Sequence, residues 1–197
     1  MNVQTEIPAI PVLLPLVAVL VTIGLLRLRK GGRMTPARAM TVVAAAVYLA
    51  AVLRVTTLPL QIALGSYANR VPWYEKFAWI PVLTIDVRTF VLNIIMMIPL
   101  GVLLPLFTRI DTMRRVALAG LLFSAAIEIV QLLTNVFLSS GDMADVNDLL
   151  ANTIGAMVGF ALLTRIDLIT RRSGPFRIPP ASPAPSEDGP VRPAALS

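Results

Sequence analysis

Glu128 stands inside an apolar run, IEIVQLL, with Ser124, Gln131 and Asn135 at spacings of four, three and four residues. On a helix these four side chains share one face. A second apolar run opens on Asp145 and Asp148 and carries Asn152, Gly155 and Gly159 in the same rhythm of three and four. That face is acidic at its start and small at its end. Carboxylates and carboxamides grouped in this way can bind a cation, an amine or a hydroxyl, or move a proton. The chain contains no His, so Glu128 and Asp148 are the candidate acid and base. A carboxylate at bilayer depth costs roughly 2.5 kcal/mol or more, and it must therefore face protein or water and have a partner.

Each of these residues also has a simpler reading. Glu128 and Gln131 each also suit a hydrogen-bonding link between helices. One of Asp145 and Asp148 suits the free N–H groups and dipole of a helix N-terminus. The other, with Asp142, is then available to a cation, an amine or a hydroxyl. Asn93 and Asn152 can satisfy backbone groups. Gly155 and Gly159 form a small-xxx-small pattern suited to close helix packing.

The elements that must carry these groups are membrane spans. Of the 197 residues, 56% are hydrophobic and only 14% charged, and mean hydropathy is +0.79. A soluble domain carries about 25% charged residues. With no Cys and no His, Ser-His-Asp, Cys-His and thiolate-metal chemistry are excluded, and no cofactor or metal is expected. The net charge is +6, but the basic residues lie between apolar runs rather than on one soluble face. This argues against nucleic acid as a partner.

Five apolar runs are legible: Pro8 to Leu26, Met40 to Leu60, Thr89 to Phe107, Val116 to Leu138 and Asp148 to Ile169. Each approaches the length needed to cross ~30 Å of hydrocarbon. The first lacks a preceding Lys or Arg and is not a good signal peptide. Residues 61–88 are mixed and aromatic, with Trp73, Tyr74, Phe77 and Trp79 suited to the headgroup zone. Pro99 and Gly101 are expected to loosen the third run, leaving a carbonyl free. The expected fold is an all-α, polytopic transmembrane bundle over residues 1–170, followed by a disordered, Pro-rich cytoplasmic tail over 171–197. Basic residues cluster at 27–38, 109–115 and 165–177, on the same side under a five-span count. The positive-inside rule makes that side cytoplasmic and the N-terminus external.

In that orientation Asn93, Gln131, Asp148 and Asn152 fall in the outer leaflet and Glu128 near mid-depth. Arg54, at the outer end of the second run, could join them, although snorkelling outward is its simplest role. The expectation is an outward pocket in which Glu128 and Asp148 act and Asn93, Gln131, Asp145, Asn152 and Arg54 bind ligand.

The same stretch carries a family resemblance. IEIVQLL followed by DVNDLLANTIGAMVG is similar to the paired signature of the VanZ-like membrane proteins. VLNIIMMIPLGVLLPLF (91–107) resembles that family's Asn-containing, Pro-Leu-Gly helix, and Leu58-Pro59 and Ile80-Pro81 resemble its weaker upstream marks. The resemblance covers about residues 40–165. The chain departs from the pattern at Asp142, where relatives often carry Arg. The resemblance implies a multi-pass protein of the bacterial cell membrane and an association with tolerance of teicoplanin-type glycopeptides. The first functional expectation is a protein that binds or modifies an envelope amphiphile, such as a lipid-linked precursor, at the outer leaflet. The alternatives are a transporter or flippase subunit and a structural or regulatory partner in an envelope complex. Five spans without a repeat do not make two symmetric halves, unless the protein works as a homo-oligomer. Membrane lipids are partners on any of these readings, and a cell-envelope precursor or a glycopeptide-related ligand is the further partner expected.

Overall fold

The computed structural model describes residues 2–80, 86–141 and 143–173. Five long helices follow one another: α1 (Ala9–Lys30), α2 (Pro36–Thr56), α3 (Val87–Phe107), α4 (Met113–Leu138) and α5 (Val146–Ser173). All five, α5 through Ile166, are long and apolar enough to cross a membrane. This is the all-α bundle the hydropathy pattern predicts. Asp142, Pro81 and the tail from residue 174 lie outside the described residues. The helical backbone of α5 is described through Ser173. The compact body ends at Leu163, and the last turns of α5 form a unit of their own.

The helix starts follow local side-chain chemistry. The Thr35 hydroxyl accepts the Arg38 N–H ahead of α2, with Pro36 in the first turn. Thr112 caps α4 through the Arg115 N–H, and the Asp86 carboxylate caps α3 through the Arg88 N–H. Each satisfies a donor the helix itself cannot pair.

α2 ends at Thr56, earlier than the apolar run implies. Pro59 cannot donate to a helix and disfavours helical backbone in the residue before it. Residues beyond it form a strand, β2 (Leu60–Leu64), antiparallel to β1 (Val3–Ile7). A second small sheet pairs β3 (Phe77–Ala78) parallel to β4 (Ala144–Asp145). Hydropathy gives no sign of these strands. The first joins the start of α1 to the end of α2, and the second joins the segment ahead of α3 to the start of α5. The basic segments 27–38 and 109–115 lie at the opposite ends of these helices.

α3 runs through Pro99 and Pro105 as one helix, so the expected loosening does not break it. Gly101 answers to packing instead. A Cβ there would collide with the Ala156 carbonyl, and Cβ atoms at Gly155 and Gly159 would collide with the carbonyls of Ile94 and Ile98. α3 and α5 therefore meet backbone to backbone along a ladder of glycines, as small residues allow in lipid. Beside this contact lies the core of Met97, Leu100, Val116, Ala156 and Phe160. The Tyr48 hydroxyl donates to the Met97 Sδ at 3.4 Å on its edge. α1 stands apart from this core. Ala9 is its one buried residue, and Ile10, Leu14, Val19, Ile23 and Leu26 are exposed, as lipid-facing side chains would be.

Candidate functional site

The two polar stripes do face inward. Ser124, Glu128 and Asn135 on α4 are buried, and so are Asn152, Gly155 and Gly159 on α5. Asn152 Nδ2 donates to Ser124 Oγ at 2.8 Å, joining the stripes directly. One turn further along α4, Glu128 is 4% exposed. Its Oε2 accepts the backbone N–H of Asp145 at 2.8 Å. Gln131 turns to a different neighbour, and its Nε2 donates to the Thr56 carbonyl at the end of α2 at 3.0 Å. The buried amide oxygens of Gln131 and Asn152 have no protein donor among the described residues.

Above this layer the start of α5 is open. Asp145 Oδ1 accepts the Asn147 backbone N–H at 2.8 Å and its Nδ2 at 3.0 Å. Asp145 is thus the residue that closes the turn into α5, as one of the two loop acids was expected to do. Asp148 follows within the first turn, and the Asn93 side chain on α3 lies against it. Across from them, the Asp86 carboxylate accepts the Thr89 hydroxyl at 2.6 Å and the Arg88 N–H at 3.1 Å. The Thr89 hydroxyl first, and then the Arg88 N–H, hold the Asp86 carboxyl below the usual carboxylate range, so it is ionised at neutral pH.

Asp86, Thr89, Asp145, Asn147 and Asp148 together line a recess of about 250 Å³, with Ala78, Phe90 and Met143 as its apolar wall. No described Lys or Arg forms an ion pair with any of its three carboxylates. Among the described residues, no three acids converge closely enough to hold a metal ion. The arrangement can attract a cationic or hydroxyl-bearing group and offer it carboxylate acceptors beside an apolar surface.

The structure thus sorts the residues singled out by sequence. Asp145 and Asp148 line the recess, and Asn93 adjoins it. Glu128 does not line the recess but borders it: its Oε2 holds the Asp145 N–H, and the Asp148 and Asp145 carboxylates lie near enough to act on its charge. Asn152 and Gln131 bind protein partners in the buried layer. Arg54 does not join the group. Its guanidinium donates to the Leu58 carbonyl at 2.9 Å, a local bond at the end of α2 that leaves the side chain exposed.

A VanZ/LLP1 family model matches residues 45–169. This chain belongs to the VanZ/LLP1 family. Neither a curated protein nor a solved structure matches it. The match runs from α2 through α5 and so takes in the buried polar layer and the recess, while α1 and β1 precede it. With five candidate spans, the chain is a VanZ-like, multi-pass membrane protein.

Sequence spacing does not single out Asp86 or Asn147 of this VanZ-family recess, nor the buried Lys76 outside it. Asp86 directly precedes an apolar run, which is a helix-start signal. Residues 61–88 read as one mixed segment, which hides that signal. Asn147 stands in the first turn of α5 but falls outside the three-and-four rhythm of Asp145, Asp148 and Asn152. Lys76 is 4% exposed, and its Nζ donates to the carbonyls of Asn69 at 3.2 Å and Asn135 at 2.9 Å. It anchors the aromatic segment onto the C-terminal end of α4, where cations suit the helix dipole. Nothing local marks a Lys in an irregular segment as buried.

Proposed function

We propose that this VanZ-family protein binds the polar head of a bacterial envelope amphiphile in the recess of Asp86, Asp145 and Asp148, with the amphiphile's chain remaining in lipid. The observation that carries this reading is the pairing of three carboxylates, unpaired with any described cation, with an apolar wall of Phe90 and Met143 at the end of a lipid-exposed bundle. An acidic recess favours a head that carries an amine or several hydroxyls. The orientation that puts the basic segments 27–38 and 109–115 in the cytoplasm makes this an outer-leaflet site. The same orientation suits a protein of the bacterial cell membrane. A lipid-linked cell-wall precursor fits these terms, and a part in glycopeptide tolerance would follow from altered handling of such a precursor. If the site also modifies its ligand, Asp148 is the acid or base within reach, with Glu128 holding the loop that presents Asp145.

The test is binding of a lipid-linked precursor bearing a free amine to the protein in nanodiscs. The same precursor with its amine acetylated serves as comparison. Asp148→Asn and Asp86→Asn should each weaken binding of the amine form at least tenfold, with thermal stability retained. Equal binding by both variants and the wild type would remove the recess as the site. Translocation of the precursor between leaflets of a sealed vesicle would establish a transporter instead.

A further inference from the structure

At the opposite end of the bundle a cleft of about 510 Å³ opens between α1, α2 and α3. That volume is within the ~300–1,000 Å³ usual for small-molecule sites. Its walls are almost wholly apolar: Leu20 and Ile23 on α1, Leu49 and the small Ala45 on α2, Leu103 and Phe107 on α3. The one charged group on its lining is Arg27, in the last turn of α1. No described acid pairs with the Arg27 guanidinium.

The cleft exists because α1 and α2 touch closely while α1 stands off from α3. Gly24 makes the first contact, since a Cβ there would collide with the Val42 side chain. Helices rise ~1.5 Å per residue, so the wall from Leu20 to Arg27 runs roughly 10 Å along the bundle axis. The cleft is therefore apolar along its depth and cationic at its mouth, inside segments that cross the membrane.

We propose that this cleft seats an acyl chain of an anionic phospholipid from the surrounding bilayer, with the lipid phosphate on Arg27. Charge decides among possible occupants. A second copy in the same membrane shares the orientation of the first, and would bring its own Arg27, Arg29 and Lys30 to a mouth that is already basic. An anionic headgroup meets the same surface with opposite charge, and the guanidinium fork suits a phosphate. The site is separate from the acidic recess and does not depend on what that recess binds.

The experiment is native mass spectrometry of the full chain released from nanodiscs of equal phosphatidylglycerol and phosphatidylcholine. The wild type should retain phosphatidylglycerol in preference by roughly fivefold, the selectivity one well-placed basic side chain gives. Arg27→Gln should bring the two lipids near parity. Arg29→Gln removes the same charge from the same turn, but Arg29 does not line the cleft, so its preference should remain. Ala45→Phe fills part of the cleft and should reduce the number of lipids retained, with melting temperature as the check on folding. The proposal fails if the wild type shows no preference, if Arg27→Gln keeps it, or if Arg29→Gln loses it equally. It also fails if a cysteine placed at Leu49, in this Cys-free chain, cross-links two copies with full yield in anionic membranes.

Discussion

The Glu128 carboxylate accepts the backbone N–H of Asp145 at 2.8 Å, across a span of 17 residues. The bond fastens the middle of α4 to the loop that starts α5, and it fixes one wall of the acidic recess from behind. Glu128→Gln retains an acceptor oxygen at the same reach, whereas Glu128→Leu leaves the Asp145 N–H without its acceptor. An unmet buried donor costs about 1–3 kcal/mol. Glu128→Leu should therefore lower the melting temperature clearly, and Glu128→Gln should accumulate in the membrane at wild-type level. If the carboxylate charge itself serves the recess, Glu128→Gln will still abolish the envelope phenotype rescued by the wild-type gene. A Glu128→Gln protein with full function would reduce the residue to a structural fastening.

The glycine ladder between α3 and α5 makes a sharper stability prediction. Gly101→Ala and Gly159→Ala each drive a methyl group into a backbone carbonyl of the facing helix. Backbone cannot move aside as a flexible side-chain end can, so the helices must separate and the core of Met97, Ala156 and Phe160 must open with them. Both variants should fail to accumulate, or should lose several degrees of melting temperature. Gly31→Ala is the contrast. Its Cβ would lie 3.3 Å from the Arg27 carbonyl, at φ −82° in the exposed C-terminal cap of α1, where a shift of a few tenths of an ångström relieves the contact. That variant should lose much less melting temperature than either ladder variant and should still accumulate.

The polar stripes were legible because helical spacing writes them directly into the sequence. Ser124, Glu128 and Asn152 could be assigned to inward faces on period alone. Their partners could not, because period fixes a face on one helix and says nothing of which helix it meets. Glu128 thus finds the backbone N–H of Asp145 rather than a side chain of the facing stripe. Arg54 shows a related limit: depth along the bundle is readable from hydropathy, but direction around the helix is settled by packing. Lys76 and Asp86 lay in the irregular stretch between α2 and α3, where no repeat marks inside from outside.

Lys76 gives that irregular stretch its attachment. Its ammonium bonds the Asn135 carbonyl on α4 and the Asn69 carbonyl in the loop, and hydrogen bonds to a charged group are worth about 1.5–3 kcal/mol. Lys76→Met keeps the length of the stem and removes both bonds. The segment from Gly65 to Ala78 should then open more readily. Hydrogen exchange should accelerate there while α3 and α5 keep their protection. The exposed Trp73 and Trp79, whose rings meet edge to face at 6.3 Å, should report the same change in fluorescence. Unaltered exchange in Lys76→Met would mean that β3 pairing with β4 suffices to hold the segment.

The outer-leaflet reading of the recess depends on how the bundle is oriented in the membrane. The α1–α2 connection carries Arg27, Arg29, Lys30, Arg33 and Arg38, and the α3–α4 connection carries Arg109, Arg114 and Arg115. These lie at one end of the bundle, and the recess of Asp86, Asp145 and Asp148 lies at the other. Short loops rich in Lys and Arg stay in the cytoplasm during insertion, and acidic residues have little influence. A reporter active only in the cytoplasm should therefore be active when fused after Arg172, and one active only in the periplasm should be active when inserted at Gly141. Neutralising the first connection, with Arg27, Arg29, Lys30, Arg33 and Arg38 all changed to Gln, should produce a mixed population, because the second connection retains its three arginines. Periplasmic activity after Arg172 in the unaltered chain would turn the acidic recess toward the cytoplasm. The ligand sought would then have to be an inner-leaflet one.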